Sequence, residues 1–136
     1  MRLTVAPAFF VLLFGATAPA LADDPIDCAE QNTTVEMNFC ADEDFKASDA
    51  RLNAAYKKVL AQIAGGDLEK PYDRESWDKA LRESQRAWVA FRDADCKGLV
   101  PVEWSGGTGT TSAVLGCMTA KTDARTKEFA ERYNLD

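Results

Sequence analysis

The stretch Leu81–Cys96, LRESQRAWVAFRDADC, decides how this chain folds. Together with Trp77 upstream, Leu81, Ser84, Trp88 and Phe91 are spaced by 4, 3, 4 and 3 residues, which puts them on one face of an α-helix. A buried Trp or Phe removes about 150–250 Å² from water, so such a stripe demands a partner surface. Gln85, Arg92 and Asp93 flank it, and the segment closes on a cysteine. The expectation is a core helix that carries polar groups into or along the core and is then stapled.

Two further helices are expected around it. Thr33-Thr34-Val35-Glu36 fits a capping box, and Phe45, Ser48, Leu52, Tyr56, Val59 and Ile63 keep a 3–4 spacing up to Gly65-Gly66. That helix spans about 45 Å, and a bend near Cys40 to Asp44 is expected in it. Asp67 to Tyr72 connects it to the next helix, which Asp73 caps and Gly98 is expected to stop. Gly98 to Thr110 is read as a loop. A last helix follows from about Thr111 to Tyr133, with Leu115, Met118, Thr122, Arg125 and Phe129 along one side. No repeat and no alternating strand pattern is visible. The fold class is all-α: a compact antiparallel bundle of three main helices.

The beginning of the chain reads differently. Arg2, the apolar run Ala6–Phe14 and Ala20-Leu21-Ala22 have the form of a secretory signal peptide over residues 1–22, too short to span a bilayer. Cys28 follows Pro25-Ile26-Asp27 rather than small apolar residues, which argues against a lipid anchor. Removing 22 residues from 136 leaves 114, enough for a single domain, residues 23–136. Its 15 Lys and Arg (16 without Arg2) against 22 Asp and Glu give −7. An acidic surface disfavours nucleic acid and anionic membrane and favours a cationic partner. The expected location is periplasmic or secreted.

Four cysteines in a small exported chain read as two disulfides. Of the three pairings, Cys28–Cys40 with Cys96–Cys117 closes two short loops, each worth about 3 kcal/mol in the chain-entropy picture. Cys40 would lie about 10 Å along the first helix, within reach of the residues between Cys28 and Thr33. Zinc is disfavoured, since the cysteine spacings are wrong for it and the chain has no histidine.

Chemistry finds little support. Without histidine there is no Ser-His-Asp or Cys-His site. Asp42, Glu43 and Asp44, or Asp93 and Asp95, could do paired-carboxylate work, but they read more simply as solvated helix faces. The run Ser105–Thr110 lacks the lysine of a phosphate loop and reads as a turn. Trp104 is either a plug over the core or an exposed anchor. Asp49, Asn53, Gln85 and Arg92 are expected to cluster between the first two helices, with Asp49 and Arg92 paired to fix register. No catalytic, cofactor-binding or metal-binding residue is assigned.

The order Cys28…Asn38-Phe39-Cys40, then Ser48-Asp49-x-x-Leu52-Asn53-x-x-Tyr56, then Gln85-x-x-Trp88-x-x-Phe91-Arg92-x-x-x-Cys96, then Gly106-Gly107, Cys117 and Arg125, resembles the LprI-type lysozyme inhibitor domain. The resemblance covers nearly the whole chain after residue 22. It implies a small, helical, disulfide-stapled envelope protein, and the family name suggests inhibition of lysozyme; an enzyme has no positive support in the sequence. It transfers no inhibitory residues. The residues singled out for a partner are Asp42, Glu43, Asp44, Glu103 and Trp104. The alternative is a periplasmic interaction or stress module without lysozyme contact.

Overall fold

The computed structural model describes residues 26–135; the expected signal peptide and the residues up to Pro25 lie outside them. The elements are α1 (Thr34–Gly65), α2 (Arg74–Asp93), a π-helical turn (Ala94–Leu99), α3 (Val100–Glu103) and α4 (Thr110–Tyr133). The all-α expectation holds, with three long helices running up, down and up.

The starts follow their capping residues. Thr33 Oγ1 accepts from the Glu36 N–H at 3.2 Å, and Glu36 Oε2 accepts from the Thr33 N–H at 2.8 Å, completing the capping box. Asp73 accepts from the Ser76 N–H at 3.0 Å and opens α2. α1 is one uninterrupted helix and stays helical through Cys40 to Asp44.

The end of the second helical segment departs from expectation. Gly98 does not stop it: the helix widens into the π turn and continues through α3. Glycine permits a left-handed stop but does not impose one. The stop comes at Ser105 (φ 52°) and Gly106 (φ 65°). There the Gly106 N–H donates to the Pro101 carbonyl and the Ser105 N–H to the Val102 carbonyl, a Schellman closure. Pro101 lacks an N–H, and its ring crowds the carbonyl four residues back in a regular helix. The widened turn falls immediately before it. The expected loop from Gly98 to Thr110 thus shrinks to the turn at 104–109.

α1 packs chiefly on α4, because small groups line that seam: Ser48, Ala55 and Thr122 are all buried. Ser48 Oγ donates to Asp123 Oδ1 at 2.6 Å, so the buried hydroxyl is satisfied. Leu52, Val59, Ile63, Leu81 and Phe129 form the apolar core at the lower end, with Trp88 and Tyr133 packed against it.

The aromatic stripe of α2 is only partly core. Leu81 is buried, but Trp77 is 39% exposed and Phe91 57%. At about 100° per residue, Phe91 lies about 80° round the helix from Leu81, whereas Arg92 lies about 20° away. Arg92 therefore takes the inward position and is 7% exposed. Phe91 lies beneath the Lys121 ammonium, 4.8 Å from its ring centre.

Both disulfides join the expected partners, with Cα–Cα separations of 5.6 Å. Cys28–Cys40 folds the N-terminal segment against α1. Cys96–Cys117 ties the π turn to α4.

Candidate functional site

Above the apolar core the three helices meet on a column of alternating rings and guanidiniums. Arg92 Cζ lies 5.4 Å from the Phe45 ring centre and 5.2 Å from that of Trp88. Arg125 Cζ lies 5.9 Å from Trp88 and 4.4 Å from Phe129. Such contacts strengthen as they lose water, and Arg92 and Arg125 are 7% and 6% exposed. Each guanidinium is also hydrogen-bonded. Arg92 donates to Asp93 Oδ1 (3.0 Å) and Thr122 Oγ1 (3.3 Å). Arg125 donates to Gln85 Oε1 (3.3 Å), Ser84 Oγ (3.2 Å) and Glu128 Oε2 (2.6 Å). These polar groups hold the scaffold together.

The expected polar cluster sits beside this column, in an open groove between α1 and α2 of about 480 Å³. Asp49, Leu52, Asn53 and Tyr56 form the α1 wall. Arg82, Gln85, Arg86 and Val89 form the α2 wall, with Arg92 at one end. Both walls have the i, i+3, i+4, i+7 spacing of a packed helix seam. Polar side chains occupy most of these positions, and the seam stays open.

Asp49 Oδ1 lies 3.7 Å from Arg92 Nη1, and Asp49 is half-exposed. Asp93 is closer to the same guanidinium, at 2.9 Å from Nη2. A hydrogen bond from Lys97, and then one from Arg92, holds the Asp93 carboxyl below the usual carboxylate range. Asn53 Nδ2 donates to Asp49 Oδ2 at 2.8 Å.

The five residues singled out for a partner fall in two places. Asp42 and Glu43 both reach Lys46, at 2.7 Å each, and these hydrogen bonds raise the Lys46 pKa. Asp44 is exposed beside them. Glu103 and Trp104 lie at the end of α3, where Trp104 is 52% exposed and rests against Gly109. A Cβ on Gly109 would stand 2.5 Å from Trp104 Cζ3. Among the described residues, α1 makes no backbone approach within 8 Å of the π turn or α3, so the two patches are separate surfaces.

The acid is unevenly spread. Between residues 26 and 50 seven carboxylates stand against Lys46 alone; from 51 to 135 there are fourteen Lys and Arg against twelve Asp and Glu. The acidic portion is the first half of α1 and its approach. Val35, Met37 and Phe39 are exposed within it. Val35 and Phe39, then Asp42 and Glu43, follow one another along one side of the helix.

Sequence reading missed Arg82 and Arg86. The 82, 85, 86, 89 spacing opposite the 49, 52, 53, 56 spacing was the available signal. Asp95 lies near both sulfurs of Cys96–Cys117, but these are bonded to each other and offer no thiolate to a metal.

The described residues form an all-helical scaffold with two disulfides and an acidic helix face at the start of α1. The family model described as "Lysozyme inhibitor LprI" matches residues 27–129, and the chain belongs to that family. The protein "Uncharacterized protein R02472" of Rhizobium meliloti (strain 1021) is 38% identical over 132 residues, covering 93% of this chain and 92% of the relative. The "Uncharacterized protein YecT" of Escherichia coli (strain K12) is 28% identical over 144 residues, covering 89% and 88%. No solved structure matches the chain. Disulfides and this family are features of exported proteins. Among the described residues no helix is long and apolar enough to cross a membrane.

Proposed function

We propose that this protein, exported as a single domain of residues 23–136, binds a cationic cell-wall hydrolase of the lysozyme kind and blocks its cleft. The supporting observation is the charge split: seven carboxylates against Lys46 between residues 26 and 50, around exposed Val35, Met37 and Phe39. The carboxylates of Asp42, Glu43 and Asp44 speed encounter with a basic enzyme, and the apolar side chains supply burial at contact. Glu103 and Trp104 offer a second, smaller contact. The protein works in the periplasm or outside the cell, without a cofactor and without catalysis of its own.

The test is lysis of a wall suspension by several lysozyme classes, with the oxidised protein in excess. Slowed lysis by at least one class is expected. Unchanged lysis by all of them overturns the proposal. One observation favours the alternative, an envelope interaction module without lysozyme contact: the α1–α2 groove carries arginines, the wrong sign for a cationic enzyme.

A further inference from the structure

We infer that the groove between α1 and α2 binds the free carboxyl end of a short peptide. Its volume, about 480 Å³, is that of a small-ligand site. In a chain of net charge −6 it is lined by Arg82, Arg86 and Arg92 against Asp49. Two of these arginines are committed. Arg82 is bound through Nε and Nη2 to Asp78, at 2.7 and 3.0 Å. Arg92 is held by Asp93 and Thr122. The Arg86 side chain makes no hydrogen bond or ion pair with the described residues, so its planar fork is available for a carboxylate.

The remaining groups select a peptide over a simple anion. Gln85 gives its Oε1 to Arg125, which leaves its amide N–H groups to donate to a backbone carbonyl. Asn53 gives its N–H to Asp49, which leaves its Oδ1 to accept a backbone N–H. Leu52, Tyr56 and Val89 supply an apolar wall for a terminal side chain. Asp49 at one end repels a compact dianion such as phosphate but accepts from peptide N–H groups. The inference is independent of lysozyme binding, because it uses the middle of α1 and α2 rather than the start of α1.

The experiment titrates the oxidised protein with acetyl-Ala-Ala-Leu as the free acid, with its C-terminal amide, and with acetyl-Lys-D-Ala-D-Ala. Calorimetry and the side-chain amide NMR signals of Asn53 and Gln85 report binding. The free acid should bind and shift both signals, and the amide should bind at least about tenfold more weakly, as expected on losing a charged hydrogen-bonded pair. Arg86→Ala should lose about as much, Arg86→Lys less, and Lys127→Ala on α4 nothing. Tighter binding of the D-alanine peptide would identify wall peptides as the source, and tighter binding of the L-peptide a protein tail. Equal binding of acid and amide, undiminished binding by folded Arg86→Ala, or no shift at millimolar peptide overturns the inference.

Discussion

The guanidinium of Arg92 lies 5.2 Å from the centre of the Trp88 ring, four residues earlier on the same helix. Phe45 covers it from α1, and Thr122 receives it on α4. One side chain thus joins all three long helices in a place where an aliphatic residue would ordinarily sit. Asp93 keeps Lys97 and Asp49 is half-exposed, so the cost of removing Arg92 lies in the lost ring packing, the cavity left behind and the lost hydrogen bond to the buried Thr122 hydroxyl.

Arg92→Ala should therefore destabilise the oxidised protein by about 2–4 kcal/mol, as for other large-to-small changes at buried positions. Arg92→Lys keeps the charge but loses the planar fork and most of the stacking, and should cost about 1–2 kcal/mol. Urea denaturation followed by far-UV circular dichroism measures both. A cost for Arg92→Ala no larger than that of an exposed substitution would show that the column does not hold the helices.

Asp49 and Asp93 compete for the same arginine, and geometry ranks them. Asp93 is at 2.9 Å and one-third exposed; Asp49 is at 3.7 Å and 44% exposed. We propose that Asp49 sets the register of α1 on α2 at a small energetic return. A double-mutant cycle of Asp49→Ala with Arg92→Ala should give a small but non-zero coupling of about 0.2–1 kcal/mol, as for other exposed pairs. The cycle with Asp93→Ala should give more. Pure additivity in the Asp49 cycle removes the register role.

Acid should unfold the protein through carboxylates held below their ordinary values, Glu36 at its capping box and three aspartates whose ordinary value is 3.8. The Lys97 hydrogen bond, and then Arg92, do this for Asp93. The Ser48 hydroxyl, and then Arg51, do it for Asp123, and Arg82 does it for Asp78. The unfolded chain then takes up protons first, so stability is present above about pH 4 and declines as the pH falls towards the lower folded values. Asp93→Asn with Asp123→Asn should lower stability at pH 7 and flatten the decline. Urea midpoints at pH 7, 4 and 3 give the slope.

Much of this fold is legible in the residues. Thr33 with Glu36, and Asp73, announce their helix starts through local hydrogen bonds that need no tertiary context. The cysteine spacing gives both disulfides. What misleads is the equation of hydrophobicity with burial. Phe91 and Trp77 look like core and stand half-exposed, while Arg92 and Arg125 look like surface and are buried. Nearby Asp93 and Glu128 help make those burials tolerable, but the rings supplied from a neighbouring helix, Phe45 over Arg92 and Trp88 over Arg125, are not contained in any single-helix pattern. Gly98 misleads for a related reason: a glycine marks where a turn is allowed, and Ser105-Gly106 is where it occurs. The groove is the least legible feature, since spacing alone does not distinguish a closed seam from an open one.

The turn after α3 should depend on one glycine. Gly109→Ala places a methyl group where the Trp104 ring now lies, at 2.5 Å from Cζ3. The indole must move into solvent. Trp104 emission, taken as the difference from a Trp104→Phe protein, should shift to the red, with little change in overall stability. An unshifted emission would mean that the ring does not rest on Gly109.

The measurement closest to the proposed activity is the affinity of the oxidised protein for a basic lysozyme at low and physiological salt, beside the triple variant Asp42→Asn, Glu43→Gln, Asp44→Asn. Exposed charges are screened over about 8 Å at physiological ionic strength. Steering through the start of α1 predicts a complex that weakens as salt rises, and a triple variant that binds more weakly with a shallower salt dependence. A complex of equal strength with the triple variant at both salt concentrations, or no complex with any lysozyme class, would contradict it.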